Sequence, residues 1–149
     1  MNLGYIITLA VGSGVIGMYI GLSLHELTHY TVGNLKGANA SIETDQFHLP
    51  HQVVFEDANE LSSNTIRIAT GMVIIYPILL ILYLWFLGLP NLGIESIILF
   101  GLVGASVVSP SDLLGLLYPE RWREYAINYS GEGHIATLQI LITEMQDTN

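Results

Sequence analysis

The chain has 149 residues, of which 51% are hydrophobic and only 11% charged, with a mean hydropathy of +0.52. That is too apolar for an ordinary soluble domain of this size, and it points to one membrane-embedded domain over residues 1–149. Thirteen acidic residues against four basic ones give a formal net charge of −9, which removes the electrostatic basis for a nucleic-acid partner; the absence of cysteine excludes disulfides, thiolate metal ligands and a cysteine nucleophile.

Met-Asn-Leu-Gly leads into the first apolar run without Lys or Arg. The run ends in His and Glu instead of a small-residue cleavage site, so a removable signal peptide is not expected. Apolar stretches at residues 3–24, 66–87 and 94–117 each match the roughly 20 residues that cross a hydrocarbon core. The expected fold is therefore an all-α membrane protein of about three transmembrane helices, with a core at residues 3–117. Within the first stretch, Gly17-x-x-x-Gly21 suits close approach of a second helix.

Residues 34–65 are polar. Alternating pieces at Ala40, Ile42 and Thr44 and at Val53 and Phe55, separated by a turn region at Pro50, predict a small β-hairpin between the first and second spans. Ser63 and Asn64 suit the cap of the second helix, and Pro77 predicts a kink within it. The four basic residues, Lys36, Arg67, Arg121 and Arg123, fall in the first connection or just after the third span. Three crossings put those regions on one face, so the expected arrangement in a cell membrane is multi-pass, with the N-terminus outside and the C-terminus cytoplasmic. Tyr5, Trp85 and Phe86 then fall near the outer boundary, and Tyr118 and Trp122 near the inner one. In the tail, residues 118–149, a break at Gly131 and Gly133 precedes an amphipathic helical segment at 134–145 that can lie on the membrane surface or cover the core.

His25-Glu26-Leu27-Thr28-His29 stands at the inner end of the first span. Residues four apart share a helix face, so both imidazoles can reach one metal ion, while Glu26 is offset toward a water on that ion and can act as general base. A histidine pair that merely packs is the bland alternative, but two imidazoles and a carboxylate at lipid depth demand partners. His₂-carboxylate coordination suits Zn2+ and also ferrous iron. Catalytic zinc commonly takes a third protein ligand. No His follows in the segment from His29 to Lys36, which excludes a metzincin-type extension. Candidates are Asp112, His48, His51, His134, Glu43 and Glu95. Asp112 is favoured by depth: it lies 18 residues beyond Ile94 and His25 lies 22 beyond Leu3, about one helical turn apart on parallel spans. Its competing role is a helix cap after Pro110. His48 and His51 read as surface loop histidines or as lining for substrate entry.

With HELTH ending one span, a hairpin-like insertion, a second span containing Gly71 and Pro77, and an Asp late in a third, the chain resembles the site-2 protease family of intramembrane metalloproteases. The resemblance covers approximately residues 3 to 117. It implies that His25, His29 and Asp112 bind zinc, that Glu26 is the base, and that a strand near Ile42 or Val53 holds an extended membrane protein or peptide substrate. The third-span segment, Ser109-Pro110-Ser111-Asp112-Leu113-Leu114-Gly115, departs from the family pattern in lacking an Asn ahead of the Asp and a Gly directly after it. The activity so implied is an intramembrane zinc metalloendopeptidase working in the lipid bilayer. The alternatives are a non-catalytic zinc-binding membrane protein and an inactive scaffold that binds membrane helices.

Overall fold

A computed structural model describes residues 2–44, 50–89, 91–128 and 133–147. The first helix, α1 (Leu3–Leu35), runs for 33 residues, about 50 Å at 1.5 Å per residue, well beyond the thickness of a hydrocarbon core. The Asn2 side chain accepts from the Gly4 backbone N–H at 3.0 Å and caps its start. Beyond Leu35 the chain turns at Gly37, whose φ of +86° a side chain would strain.

Strands β1 (Ala40–Thr44) and β2 (Pro50–Phe55) form the expected antiparallel hairpin, with Ala40 opposite Phe55 and Ile42 opposite Val53. Pro50 opens β2 opposite Thr44 instead of lying in the turn. Its missing N–H is tolerated at the first position of a strand.

Helix α2 (Ser63–Gly71) is capped by Ser62, one residue ahead of the expected pair, through a bond from the Thr65 N–H to Ser62 Oγ. A 3₁₀ turn at Met72–Ile74 joins it to α3 (Ile75–Leu87). Pro77 explains the tightened turn, since its ring conflicts with the carbonyl four residues back, that of Val73. Ser63–Leu87 is still long and apolar enough to cross a membrane, as is Leu3–Leu35. The third stretch is not one helix. It divides into α4 (Ile94–Ala105) and α5 (Pro110–Leu117), which meet at 56° and make a third span when counted together. Helices α6 (Pro119–Asn128) and α7 (Gly133–Asp147) follow.

The buried residues of α1 are Ser13, Gly17, Gly21, His25, His29 and Gly33, every fourth position. This row first lies along α4. A Cβ on Gly17 would stand 2.6 Å from the Ile97 carbonyl oxygen, and one on Gly21 would collide with the backbone of Gly101 and Ala105. Only glycine permits that approach. Further along, Gly33 faces the Phe55 ring. Phe55 in turn meets Trp122 edge to face, with ring centroids 5.6 Å apart. Trp122 is therefore part of a side-chain core with Ile66, Ala69, Leu114 and Leu141, and does not face a lipid–water boundary as its sequence position suggests.

Candidate metal centre

His25 and His29 project from the inner part of α1, where the row of small buried residues gives way to imidazoles. Asp112 approaches from the first turn of α5. His25 Nε2 lies 3.4 Å from Asp112 Oδ2, His29 Nε2 lies 3.0 Å from Asp112 Oδ1, and the two Nε2 atoms are 3.1 Å apart. All three residues are buried, none more than 6% exposed.

The opposite ring nitrogens define the protonation pattern. His25 Nδ1 donates to the Ala105 carbonyl at 3.1 Å, and His29 Nδ1 donates to the Ala69 carbonyl at 2.8 Å. A carbonyl oxygen only accepts, so each Nδ1 carries a proton, and in a neutral ring that leaves Nε2 bare. With both rings neutral, two bare nitrogens and a carboxylate converge with no proton among them. Acceptors brought together in a buried place repel one another unless a cation joins them. A single proton best serves two atoms, whereas a metal ion satisfies three.

The three residues are spaced so that they could hold a metal ion. Tetrahedral coordination with bonds of about 2.0–2.1 Å separates neighbouring donor atoms by about 3.3 Å. The three separations described above, which run to both carboxylate oxygens, bracket that value, and a donor set of two imidazoles and a carboxylate suits zinc and also ferrous iron. Nδ1–H bonds to backbone carbonyls are the supports that orient imidazole ligands in metal sites.

The break between α4 and α5 supplies one of these carbonyls and, at once, a support for Asp112. In a continuous helix the Ser109 N–H would bond the Ala105 carbonyl, four residues back. Here Ser109 N donates to Asp112 Oδ2 at 2.7 Å, and the Ala105 carbonyl takes the His25 proton. Pro110, with no N–H of its own, occupies the first position of α5, where none is needed. Ser109 Oγ accepts from Asp112 N at 3.2 Å to complete a capping box. The cap role expected for Asp112 does not take it away from the cluster: one carboxylate caps α5 and also faces both imidazoles. Ala69 is among the last four carbonyls of α2, which lack regular helical partners.

No known protein family, curated protein or solved structure matches this chain.

Among the remaining sequence candidates, Glu26 is half-buried on α1, one residue from His25. Glu43 is exposed on β1 and accepts from Gln52 Nε2, so it is not part of the cluster. Glu95 is exposed at the start of α4 and accepts from the backbone and side-chain N–H groups of Asn91. His48 lies outside the described residues, as do the side chains of His51 and His134. The carbonyls of Ala69 and Ala105 were invisible to sequence reading, because a backbone acceptor leaves no residue-type signal. The proline at position 110, inside an apolar run, is the one sign that a helix ends there.

Proposed function

We propose that this protein is an intramembrane zinc metalloendopeptidase that hydrolyses a peptide bond of a membrane-anchored protein. The observation that carries this reading is the convergence of His25, His29 and Asp112, each imidazole turned by a backbone carbonyl so that its lone pair faces inward. In this reading those three residues hold the ion, and α4 with α5 forms a third, broken span that leaves the N-terminus outside and the C-terminus in the cytoplasm. Bound zinc supplies a Lewis acid that brings the pKa of a coordinated water to about 7.

Glu26 accepts a proton from the attacking water and returns it to the departing amine, so that hydroxyl adds to the carbonyl carbon and hydrogen to the nitrogen. The substrate must unwind to expose its backbone, and an open edge of the β1–β2 hairpin offers the unpaired N–H and C=O groups that can hold it.

A bound ion with no turnover is the second reading, favoured by the burial of all three ligands. Glu26→Gln separates the two. The variant should retain one zinc per chain, measured by elemental analysis, and lose at least about 100-fold in cleavage of single-span peptides in detergent, read by mass spectrometry. His25→Ala should abolish stoichiometric zinc. Wild-type cleavage by Glu26→Gln would leave only the non-catalytic reading.

A further inference from the structure

Thr28, inside the HELTH segment, donates its hydroxyl proton to the Leu24 carbonyl at 2.8 Å. The Tyr76 hydroxyl lies 2.6 Å from Thr28 Oγ1 and 3.4 Å from the same carbonyl. With the single Thr28 hydroxyl proton on Leu24, the shorter of the two contacts to that carbonyl, Tyr76 donates the bond between the hydroxyls. The phenol oxygen then keeps its lone pairs. Its proton, too, is easily redirected, because Thr28 remains bonded to Leu24 without it.

The position of this hydroxyl pair follows from helix geometry. At roughly 100° per residue, His25 and His29 lie about 40° apart, Glu26 falls on one flank of them and Thr28 on the other. Tyr76 reaches that second flank from the first turn of α3, directly ahead of Pro77 and beyond the 3₁₀ turn. Further along, α3 leans on α4 and buries none of its residues. A half-buried hydroxyl therefore stands beside the ligand pair, where α3 leaves α1 and apolar side chains such as Ile78 and Leu82 face outward. An extended peptide in such surroundings has no water to satisfy its carbonyls and N–H groups, so any nearby hydroxyl is a needed partner.

We propose that Tyr76 positions the substrate: its hydroxyl rests on Thr28 in the free protein and transfers its hydrogen bond to a backbone carbonyl of the bound peptide, on the side of the metal ligands opposite Glu26. This inference rests on the peptidase reading, and the test keeps the two apart. Full-length protein in detergent is titrated with two zinc-chelating probes, a leucyl-leucine hydroxamate and acetohydroxamate, which has no peptide backbone. Tyr76→Phe should weaken the dipeptide probe about tenfold, the loss of one hydrogen bond, with acetohydroxamate affinity and zinc content unchanged. Thr28→Val removes the resting partner but not the phenol, and should bind the dipeptide probe at least as tightly as wild type.

If the pair only latches α3 to α1, both variants lose the latch and shift together. Equal weakening by both, or no weakening by Tyr76→Phe, overturns the proposal. A wild-type protein that lacks zinc, or that holds zinc and binds neither hydroxamate, sinks the peptidase reading and this inference with it. Normal wild-type binding with an unaffected Tyr76→Phe removes Tyr76 alone.

Discussion

Around Gly17 and Gly21, α1 meets α4 through backbone atoms, while residues such as Val15 and Ile16 on its other faces stay exposed. Around Leu114 the packing is made of side chains: Ile66, Trp122 and Leu141 close over it, and the hairpin adds Phe55. The first region resembles a helix pair in lipid, where apolar side chains gain nothing by leaving the hydrocarbon and close backbone contact supplies the attraction. The second resembles a small water-soluble core, in which burial of apolar surface drives assembly. The candidate metal centre sits at their junction. His25 and the Ala105 carbonyl belong to the glycine-packed side, whereas Asp112 and the Ala69 carbonyl come from elements of the side-chain core.

The largest expected effect tests the first region. Gly21→Leu places a side chain against the backbone of Gly101 and Ala105, which cannot yield, so α1 and α4 must separate. Destabilisation of about 3 kcal/mol or more is expected, seen as loss of monodisperse protein in detergent together with loss of zinc, since Ala105 supports His25. A folded, zinc-loaded Gly21→Leu protein would remove backbone packing from the comparison.

Truncation of side chains should discriminate the regions more finely. Leu114→Ala, at a fully buried position, should cost about 2–5 kcal/mol. Val15→Ala, at a position 63% exposed, should stay within about 0.5 kcal/mol. Chemical unfolding in one detergent measures both. Equal losses would mean that the two regions are packed by one principle.

At the junction, Ser109→Ala removes the hydroxyl that accepts from Asp112 N and should cost about 1 kcal/mol, with a weaker grip on zinc in metal-competition titration. The smallest effect lies at the rim of the side-chain core. The Ser63 hydroxyl, with Arg123 beside it, holds the exposed Glu120 carboxyl below its ordinary range. A lowered folded-state pKa stabilises above the unfolded value, and that stabilisation is lost as pH falls through the folded one. Glu120→Gln should therefore lower the melting temperature slightly at neutral pH, with the difference from wild type vanishing in acid.

Much of this arrangement is legible in residue types. HELTH, the two long apolar runs and the alternation around Ile42 and Val53 lead directly to the buried histidine pair, the helices and the hairpin. The row Ser13, Gly17, Gly21, His25, His29 and Gly33 is itself a sequence pattern, small residues or imidazoles at every fourth position. What does not show is how apolar residues divide between lipid and core. Leu114 and Leu113 look alike in the chain, yet one is fully buried and the other 40% exposed. Depth along two assumed straight helices brings Asp112 toward His25, but the bend that orients its carboxylate depends on which backbone groups exchange partners, and periodicity does not reveal that.

That exchange makes helix continuity and the His25–Asp112 arrangement mutually exclusive at one peptide unit. Were the segment to straighten, Ser109 would reclaim the Ala105 carbonyl, and the imidazole and the carboxylate would lose their supports in the same movement. An ion seated among the three ligands therefore opposes straightening, and anything that straightens the segment expels the ion.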